Sequence, residues 1–507
     1  MAFAITQTCC NDATCVSVCP VNCIHPTPEE RAFGSTEMLH IDPKSCIDCG
    51  ACADACPVDA VLPLDRLTGG QREYARINAA YFERDLPEET EPPARSGPNF
   101  HAWGEPSFDR VLPSDFGPLR VAIVGTGPAG MYAAKDLLLH TRAEVTLVDR
   151  LPAAGGLVRY GVAPDHPATK KVGESFARFL THPRARTYLG LDVGTHVTAE
   201  ELAAHHDAVI YAVGAATDRR LGVPGEDRPG SVSATTFVAW YNAHPEVAAD
   251  AVGLSSERVV VVGNGNVALD VARILVSDPK TLAGTGIADH ALAELRRSKV
   301  REVVLLGRRG PEHAAYTRPE LLALKHLPGV DLLIDDHDPR IGAAIDAAGP
   351  KDKAAVLRGV TREAVDWSLS PGTAGRRRIV FRFLSSPVAV CGGEDTRAVR
   401  VTGGTAGLEI PAGLALRAVG YRGVAPAGLP FDEATGTVPH ERGRVTGRPG
   451  TYVVGWIKRG PSGGIGANRA CAAETVGSLL ADAVAGALPA PAGGPNAFRR
   501  LVRRRRR

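Results

Sequence analysis

Several features that would indicate a membrane or a nucleic-acid partner are missing from the sequence. No uninterrupted apolar run reaches about 20 residues, the length that crosses a bilayer, so we expect no transmembrane helix. The N-terminus has no basic segment followed by an apolar one, so we expect no secretory signal and place the chain in the cytoplasm. A net charge of only +2 over 507 residues argues against nucleic-acid binding. Aromatic residues are scarce, at 5%, whereas 44% of residues are apolar and 55 are glycine, which is typical of α/β domains with tight turns.

Cysteine is concentrated at one end of the chain. Nine of the 11 cysteines lie within the first 56 residues, which in a long chain without a signal indicates metal binding rather than disulfides. The cysteines form two runs that each end in Cys-Pro, namely Cys9-x5-Cys15-x3-Cys19-Pro20 and Cys46-x2-Cys49-x2-Cys52-x3-Cys56-Pro57. Thiolates are the ligands of iron–sulfur clusters, and in two-cluster ferredoxins the last cysteine of each run binds the other cluster. The predicted ligands are Cys46, Cys49, Cys52 and Cys19 for one [4Fe–4S] cluster, and Cys9, Cys15 and Cys56 for a second cluster.

The type of the second cluster is left open by this pattern. The usual middle cysteine is missing from the first run, and Cys10 is adjacent to Cys9, where it cannot easily face the same cluster edge. We therefore favour a [3Fe–4S] cluster, and the alternative is a second [4Fe–4S] cluster that recruits Cys10 or Cys23. Paired Cys-Pro endings argue against a zinc site. Cys391 and Cys471, like Cys10 and Cys23 by default, are interpreted as ordinary thiols.

Composition divides the rest of the chain. Residues 65–117 are rich in proline, glutamate and arginine and are predicted to be a linker, in which a few aromatic residues indicate local packing. From residue 118 onward, short β-branched runs alternate with helical stretches, which indicates βαβ units. The last residues form a basic tail, interpreted either as a solvated end or as a patch that steers an acidic partner. The tail contains Arg499, Arg500 and the run from Arg503 to Arg507.

The first of two dinucleotide-type turns follows residues 121–124. Gly125, Gly127 and Gly130 come directly after this apolar strand and open a helix. The glycines permit the tight turn and the close approach of a pyrophosphate, which the helix N-terminus then binds. The next strand ends at Asp149, an acid placed to hydrogen-bond ribose hydroxyls. Because the whole βαβ unit is present, we predict that a dinucleotide binds here.

The second turn differs from the first at its third glycine. After the strand 259–262 come Gly263, Asn264, Gly265, Asn266, Val267 and Ala268. The following strand, 303–306, leads into Arg308 and Arg309 rather than into an acid. An acid there would repel a 2′-phosphate, whereas two arginines would bind it with charge-assisted hydrogen bonds. The second turn therefore predicts NADP rather than NAD.

Longer motifs resemble two known families. Residues 2 to about 62, with the stretches 19–24 and 41–52, resemble the seven-iron bacterial ferredoxins, which have three cysteines at their 3Fe site. Both glycine turns, with the stretches 156–167, 307–311 and 455–465, resemble the adrenodoxin-reductase-type ferredoxin–NADP reductases over about residues 119–485. The whole chain resembles the actinobacterial members of that family that carry a fused ferredoxin.

The resemblance implies an α/β fold with two Rossmann-like dinucleotide-binding domains behind a small α+β ferredoxin-like iron–sulfur domain. FAD is expected at the first turn and NADPH at the second, with the NADP domain inserted into the FAD domain. The expected divisions are 1–64 for the ferredoxin domain, 65–117 for the linker, 118–218 with 421–507 for the FAD domain, and 219–420 for the NADP domain.

The resemblance also implies roles for single residues. His166 and Glu320 match positions near the hydride-transfer site, and Trp456 matches one near the flavin and the nicotinamide. Glu320 and Gly463 are also expected to contact NADP. The residues expected at the flavin itself are Leu157, Val193, Gly463, Gly464 and Ile465. Two departures concern the walls of the flavin pocket, because Gly464 replaces a more usual valine and 153–155 replaces a stretch with proline and an aromatic residue.

The implied activity is that of a ferredoxin–NADP(+) oxidoreductase. NADPH would deliver hydride to FAD, and single electrons would pass to the fused clusters and to an external ferredoxin or another acceptor, such as a cytochrome P450 system, or in the reverse direction. One alternative is the NADPH-oxidising reductase subunit of a larger complex such as glutamate synthase. Another is an electron-carrier module with an inactive reductase half, against which the intact glycine turns and the arginine pair argue.

Overall fold

The computed structural model describes residues 2–83, 110–350, 352–371, 375–402, 407–494 and 496–505. These residues form two seven-stranded sheets, one three-stranded sheet and three two-stranded ribbons. Among the helices in these ranges, none combines the length and apolar character needed to cross a membrane. The predicted α/β class, with two dinucleotide-type sheets behind a small cysteine-rich domain, is confirmed.

The cysteine-rich N-terminal part is built from short elements. In chain order they are β1 (Phe3–Ile5), α1 (Thr14–Ser17), β2 (Ile24–His25), β3 (His40–Ile41), α2 (Ala51–Ala55), β4 (Val61–Pro63) and α3 (Glu73–Phe82). β1 pairs antiparallel with β4, and β2 pairs antiparallel with β3. The loops and the short helices α1 and α2 between the strands carry the cysteines, so the two ribbons hold the cysteine-bearing segments together.

α3 lies in the segment that the sequence predicted to be a linker. It packs on β1 and β3 through Asn78, which is 1% exposed. The Asn78 side chain accepts hydrogen bonds from Ile5 N (3.1 Å) and Ile41 N (2.8 Å) and donates to Ile5 O (2.9 Å). The first part of the predicted linker is therefore a helix that ties both ribbons together. The rest of that segment, with Trp103, lies outside the described residues.

A mainly parallel sheet, with antiparallel strands at one edge, begins after the described N-terminal part. Its strands and the helices between them are β5 (Arg120–Val124), α4 (Pro128–His140), β6 (Glu144–Asp149), α5 (Leu157–Tyr160), α6 (Pro167–Lys170), α7 (Val172–Leu180), β7 (Ala185–Leu189), α8 (Ala199–Ala204) and β8 (Ala208–Tyr211). β5 pairs in parallel with both β6 and β8, and β6 pairs with β7. Since helices cover such sheets, these strands read as nearly continuous apolar runs.

The second sheet follows and is entirely parallel, in the order β10-β19-β11-β12-β15-β13-β14. This part of the chain contains β9 (Thr217–Asp218), β10 (Ser231–Ser233), α9 (Ala234–Tyr241), β11 (Arg258–Val262), α10 (Asn266–Val276), α11 (Pro279–Leu282), α12 (Asp289–Arg297), β12 (Glu302–Leu306), α13 (Arg318–Lys325), β13 (Val330–Asp335), α14 (Pro339–Ala347), β14 (Thr361–Glu363), β15 (Arg377–Arg382), β16 (Pro387–Gly392), β17 (Thr396–Val401), β18 (Leu408–Pro411) and β19 (Leu414–Arg417). β16, β17 and β18 form the separate three-stranded sheet.

The chain then returns to the first sheet. The returning elements are β20 (Tyr421–Arg422), β21 (His440–Glu441), β22 (Arg444–Val445), β23 (Thr451–Val453), α15 (Trp456–Arg459), α16 (Ala467–Val484) and α17 (Ala497–Arg505). β20 pairs antiparallel with β9, and β23 pairs in parallel with β8. The second sheet is thus inserted between β8 and β23, and the β9–β20 ribbon lies where the chain crosses between the two sheets. The bounds predicted for the domains stay a prediction.

Replacing Asn78 with alanine is expected to destabilise the N-terminal part. The change leaves the buried N–H groups of Ile5 and Ile41 without an acceptor, at a cost of about 1–3 kcal/mol for each buried group. Thermal loss of visible iron–sulfur absorbance measures the effect. Arg76→Ala on the same helix is the control, because its side chain is 80% exposed. Equal unfolding midpoints for the two variants would contradict the role given to Asn78.

Candidate functional site

The first glycine turn joins β5 to α4. A Cβ on Gly125 would lie 2.5 Å from Ala212 O, and Gly125 has φ +105°. A Cβ on Gly130 would overlap Gly125 O, so neither position accepts a larger residue. Gly127 is the N-cap of α4 and no side chain caps the helix, which leaves its first N–H groups free for an anion. This uncapped N-terminus behind a tight turn fits the pyrophosphate of a dinucleotide.

The acid at the end of β6 lies against this turn. Asp149 is buried, and its carboxylate accepts hydrogen bonds from Thr126 N (2.8 Å) and Leu151 N (2.9 Å). The segment that leads into α5 crosses the turn so closely that a Cβ on Gly156 would lie 2.8 Å from Gly127 Cα. Leu157 begins α5 directly after this crossing. The structure therefore brings Asp149 and Leu157 to the first turn.

Val193 lies farther along the first sheet. It follows β7 in a turn, forms a β-bridge with Val197, and packs on the apolar cluster on the face of the sheet that contains Leu191 and Leu202. Its predicted contact with a flavin stays a prediction.

The second glycine turn joins β11 to α10 in the same way. Gly263 has φ +124°, and a Cβ there would overlap Ala418 O, the counterpart of the Gly125 contact with Ala212. Gly265 caps α10 without a side-chain hydrogen bond. Ala268 replaces the third glycine and is fully buried, and Val267 packs beside it against the core. The second turn thus also presents free N–H groups at a helix N-terminus.

Two asparagines connect the second turn to neighbouring segments. Asn266 accepts a hydrogen bond from Thr317 N (2.7 Å) and donates one to Thr317 Oγ1 (3.2 Å), which fixes the start of α13. Asn264 packs on Gly307, where a Cβ would lie 2.6 Å from the Asn264 amide nitrogen. The turn is therefore linked both to the helix that carries Glu320 and to the strand end that carries the arginines.

Arg308 and Arg309 are exposed at the end of β12, which pairs with β11. The carboxyl ends of adjacent parallel strands lie at the same edge of a sheet, so both guanidinium groups belong to the edge that carries the second turn. Exposed guanidinium groups beside a dinucleotide turn suit a phosphate on the ribose.

Three side chains from separate segments of the chain meet between the two sheets. One possible ligand atom each from His166, Asp270 and Glu320 lies within 4.8 Å of the others. His166 precedes α6, Asp270 lies on α10, and Glu320 lies in the first turn of α13. The sequence predicted that His166 and Glu320 share a site, and the structure brings them together. It adds Asp270, which the sequence analysis missed.

Arg273 occupies the centre of this group. Its guanidinium donates to Asp165 Oδ2 (2.7 Å) and Oδ1 (3.0 Å) and to Asp270 Oδ1 (2.7 Å), and its Nη1 lies 3.9 Å from Glu320 Oε2. The Arg273 side chain is only 7% exposed. These five residues, Asp165, His166, Asp270, Arg273 and Glu320, are called the Arg273 network below. Since acids alone would repel one another, the buried cation is what allows three carboxylates to lie together.

The network shifts the proton affinity of its acids in opposite directions. Burial raises the pKa of Glu320, the charge of Asp270 adds to the rise, and His166 and Arg273 oppose it. Burial also opposes the ionisation of Asp165, but the hydrogen bonds and charge of Arg273 outweigh it and lower the pKa of Asp165. Of these two carboxyl groups, Glu320 therefore holds a proton more readily than Asp165.

The cysteine-rich domain supplies one contact to this network. Gln7 Nε2 donates a hydrogen bond to Glu320 Oε2 at 3.1 Å, and Tyr74 Oη donates to the backbone oxygen of Pro319 at 3.4 Å. The Gln7 amide stabilises the charged form of Glu320 and thereby lowers its pKa. Gln7 and Glu320 are 313 residues apart, so sequence spacing offered no signal for this contact.

Trp456 holds the loop that the sequence placed at the flavin. Its indole N–H donates to Ser462 O (3.1 Å) and Gly463 O (3.3 Å), and its ring lies 5.2 Å from the ring of Tyr421. Burial raises the pKa of Tyr421 to about 12, and the charge of Asp270 adds to that rise, which places Tyr421 beside the Arg273 network. Trp456 and the 462–465 loop are therefore near the same network. A Cβ on Gly464 would meet nothing within 4 Å, so the missing side chain leaves this wall open.

The cysteines fall into two groups. The four-cysteine site comprises Cys19, Cys46, Cys49 and Cys52: burial raises the pKa of Cys52 to about 12, and the charges of the other three add to it. The three-cysteine site comprises Cys9, Cys15 and Cys56: burial raises the pKa of Cys15, and the charges of Cys9 and Cys56, together with that of Cys52 from the other group, add to the rise. The thiolate forms of such neighbouring cysteines repel one another, and a bound cation or iron–sulfur cluster would stabilise them.

The two cysteines that could supply a fourth ligand lie in different places. Cys23 Sγ is 3.4 Å from Cys19 Sγ, and the charge of Cys46 helps to raise the pKa of Cys23, so Cys23 lies beside the four-cysteine site. The charges of Cys9 and Cys56 help to raise the pKa of Cys10, so Cys10 lies beside the three-cysteine site. Of the alternatives considered for a fourth ligand of the second cluster, the structure therefore favours Cys10 over Cys23.

Known proteins resemble both parts of the chain. A family model described as pyridine nucleotide-disulphide oxidoreductase matches residues 119–281, and one described as 4Fe-4S binding domain matches residues 39–62. The chain is 46% identical over 518 residues to a probable ferredoxin/ferredoxin–NADP reductase of Mycobacterium tuberculosis, covering 100% of this chain and 88% of that protein. It is 46% identical over 392 residues to the NADPH-ferredoxin reductase FprA of the same organism, covering 72% of this chain and 84% of FprA. The structure of FprA in complex with NADPH superposes with a TM-score of 0.68 at 42% identity, covering 77% of this chain and 90% of that one.

Loss of the arginine pair is expected to weaken NADPH binding selectively. In an Arg308→Ala/Arg309→Ala double variant, KM for NADPH should rise roughly 10- to 100-fold, because charge-assisted hydrogen bonds to a phosphate are lost. KM for NADH should change little, and steady-state dye reduction measures both. Arg296→Ala, an exposed arginine on α12, is the control. An equal rise for both nucleotides would contradict recognition of the 2′-phosphate.

Loss of the Gln7 amide is expected to move a pH profile. The Gln7 N–H favours the carboxylate form of Glu320, so Gln7→Ala should raise the Glu320 pKa further. The limb of the pH–activity profile that Glu320 controls should then shift to higher pH. The pH dependence of NADPH oxidation measures this shift. Gln71→Ala is the control, because the Gln71 side chain bonds Thr68 rather than the network. Superimposable profiles for Gln7→Ala and the unmodified protein would contradict the coupling.

Proposed function

The chain belongs to the family of ferredoxin/ferredoxin–NADP reductases, and from that membership we propose that it transfers electrons between NADPH and ferredoxin-type iron–sulfur clusters. The observation that carries this proposal is the convergence of three parts on the Arg273 network. His166 and Asp165 come from the first-sheet domain, Glu320 comes from the second, and Gln7 comes from the cysteine-rich domain. A reaction that links two dinucleotides to an iron–sulfur carrier needs such a meeting point.

The first turn is proposed to hold FAD. Gly125, Gly127 and Gly130 would admit its pyrophosphate, Asp149 would bind its ribose, and the 463–465 loop held by Trp456 would lie at its ring. When bound, FAD supplies the chemistry that accepts a hydride and releases electrons singly.

The second turn is proposed to hold NADPH. The N–H groups at the start of α10 would bind its pyrophosphate, and Arg308 with Arg309 would bind the 2′-phosphate. Glu320, whose pKa is raised by burial, would bind the carboxamide of the nicotinamide or exchange a proton there. His166, within reach of the same carboxylate, would orient it.

The two cysteine sites are proposed to hold two clusters. The four-cysteine site suits a [4Fe–4S] cluster, and the three-cysteine site suits a [3Fe–4S] cluster. Recruitment of Cys10 would make the second cluster [4Fe–4S]. Because thiolate ligands of this kind are kept in a reducing compartment, we propose a cytoplasmic location. The external acceptor would be a ferredoxin or another one-electron carrier such as that of a cytochrome P450 system.

An anaerobic titration with NADPH tests the proposal, with absorbance and EPR recorded together and NADH as the control. Bleaching of the flavin followed by a change in a cluster signal is the expected result. An EPR signal of an oxidised three-iron cluster before reduction is expected if the three-cysteine site holds [3Fe–4S]. A flavin that stays oxidised in excess NADPH would overturn the proposed function.

Replacing Glu320 is expected to slow reduction of the flavin by NADPH. Glu320→Ala removes the carboxyl that would orient the nicotinamide or exchange a proton, and groups of this kind contribute roughly 100-fold or more to rate. Stopped-flow absorbance at saturating NADPH measures the rate. Glu312→Ala is the control, since that glutamate is exposed on the segment before α13. Unchanged rates for Glu320→Ala would remove this residue from the reaction.

A further inference from the structure

The loop that carries two cysteines of the three-cysteine site touches the proposed flavin loop directly. Gly466 N, one residue beyond Ile465, donates a hydrogen bond to Cys10 O at 2.9 Å. A Cβ on Gly466 would overlap Cys10 O and the backbone of Asn11, so this approach requires a glycine. Cys10 adjoins Cys9, and the contact therefore brings a segment of the three-cysteine site to the end of the 463–465 loop.

A second contact fixes the other end of the same cysteine loop. Arg469, on the first turn of α16, donates from Nη1 to Asp12 O (2.8 Å) and approaches Thr14 Oγ1 at 3.3 Å. Thr14 directly precedes Cys15. Tyr132 on α4 is also near this loop, because the charges of Asp12 and Cys10 add to the effect of burial in raising its pKa. The loop between Cys9 and Cys15 is thus seated on α4 and α16, the helices beside the first glycine turn.

The four-cysteine site, in contrast, has a ligand that is exposed to solvent. Cys49 is exposed, as are its neighbours in the 47–49 segment. Val18, beside Cys19, is 39% exposed and Ile47, beside Cys46, is 58% exposed. In the described part of the cysteine-rich domain, these two are the large apolar side chains that remain exposed. An apolar rim beside an exposed cluster ligand is the kind of small surface that transient electron-transfer partners use.

Charges fix the orientation in which the cysteine-rich domain is seated. At each ion pair across the contact the acid belongs to the cysteine-rich domain and the base to the reductase. The pairs are Asp59 with Lys171, Glu73 with His326 (3.0 Å) and Glu37 with Lys353 (3.6 Å). Glu37 also accepts a hydrogen bond from Arg318 N (2.7 Å). These contacts are spread over both reductase domains, so they specify one orientation.

Given the electron transfer proposed above, we propose that the three-cysteine site is the inner redox site and the four-cysteine site the outer one. The inner site exchanges electrons with the reductase, and Gly466 and Arg469 are the positioning residues that hold it there. The outer site, with Val18 and Ile47 at its rim, is the docking surface for a one-electron carrier protein. Each NADPH supplies two electrons, which cross the Gly466 contact singly: each crossing oxidises the reductase by one electron and reduces the inner site by one.

Two substitutions on the reductase side test the inner contact. Gly466→Val places a side chain against the backbone of Cys10 and Asn11, and Arg469→Glu removes the hydrogen bonds to Asp12 and Thr14. Hydrogen exchange of the 9–15 segment reports docking without reference to activity, and both variants should lose protection there. Freeze-quench EPR after mixing with NADPH should show the signal of the three-cysteine site decaying about tenfold more slowly. This corresponds to an activation barrier raised by about 1.4 kcal/mol. Arg142→Glu, an exposed arginine after α4, and Gly253→Ala, where a Cβ meets nothing, are the matched controls.

Substitution at the outer rim tests the order of the two sites. In Ile47→Glu the three-cysteine signal should still decay at the unmodified rate after mixing with NADPH, because electrons reach the inner site first, whereas reduction of an added ferredoxin should slow. If the decay slows in Ile47→Glu, or proceeds at the same rate in Gly466→Val and Arg469→Glu as in the controls, the assignment of inner and outer sites is overturned. These results can be told apart from a failure of the proposed function. If the proposed function were wrong, the flavin of the unmodified protein would not bleach with NADPH.

Discussion

The guanidinium of Arg273 is the group on which the rest of the site depends. It is almost fully buried and lies among the carboxylates of Asp165, Asp270 and Glu320, which come from both nucleotide-type domains. Arginine suits this position because its planar fork donates to several carboxylate oxygens at once and keeps its charge under all conditions. Without the cation, three acids would be left in a low-dielectric space, where an unpaired charge is costly. The buried cation joins Asp165 of the first-sheet domain to Asp270 of the second, and its charge opposes the burial that raises the pKa of Glu320, the acceptor of the Gln7 hydrogen bond.

The parts of the structure that could be predicted from the sequence are those that local sterics decide. Gly125 and Gly263 each have positive φ and each meet the backbone oxygen that follows a neighbouring strand, at Ala212 and Ala418, so the same requirement produces the same motif twice. The arginine pair after β12 could also be interpreted from the sequence, because arginines at the carboxyl end of a strand beside a dinucleotide turn suit a phosphate on the ribose. The grouping of the cysteines followed from their spacing.

The parts that could not be predicted depend on residues far apart in the chain. Asp270 and Arg273 lie three apart on α10, a spacing that on most helices marks a solvated ion pair, and their partner Asp165 is 108 residues from Arg273. A usable signal was the apolar sequence around them, since charges on a largely buried helix need buried partners. The helix α3 was missed because its polar exposed face resembles a linker and its anchor, Asn78, bonds two ribbons that precede it.

The β9–β20 ribbon marks the place where the two nucleotide-type domains are joined, and each of its strands is only two residues long. The cysteine-rich domain contacts both of the joined domains, through Asp59 and the 10–14 loop on one and through Gln7, Glu37 and Glu73 on the other. It therefore bridges the joint between them. Any rotation of one domain relative to the other would have to break or strain contacts of the cysteine-rich domain, so the nucleotide sites and the cysteine sites could not move independently.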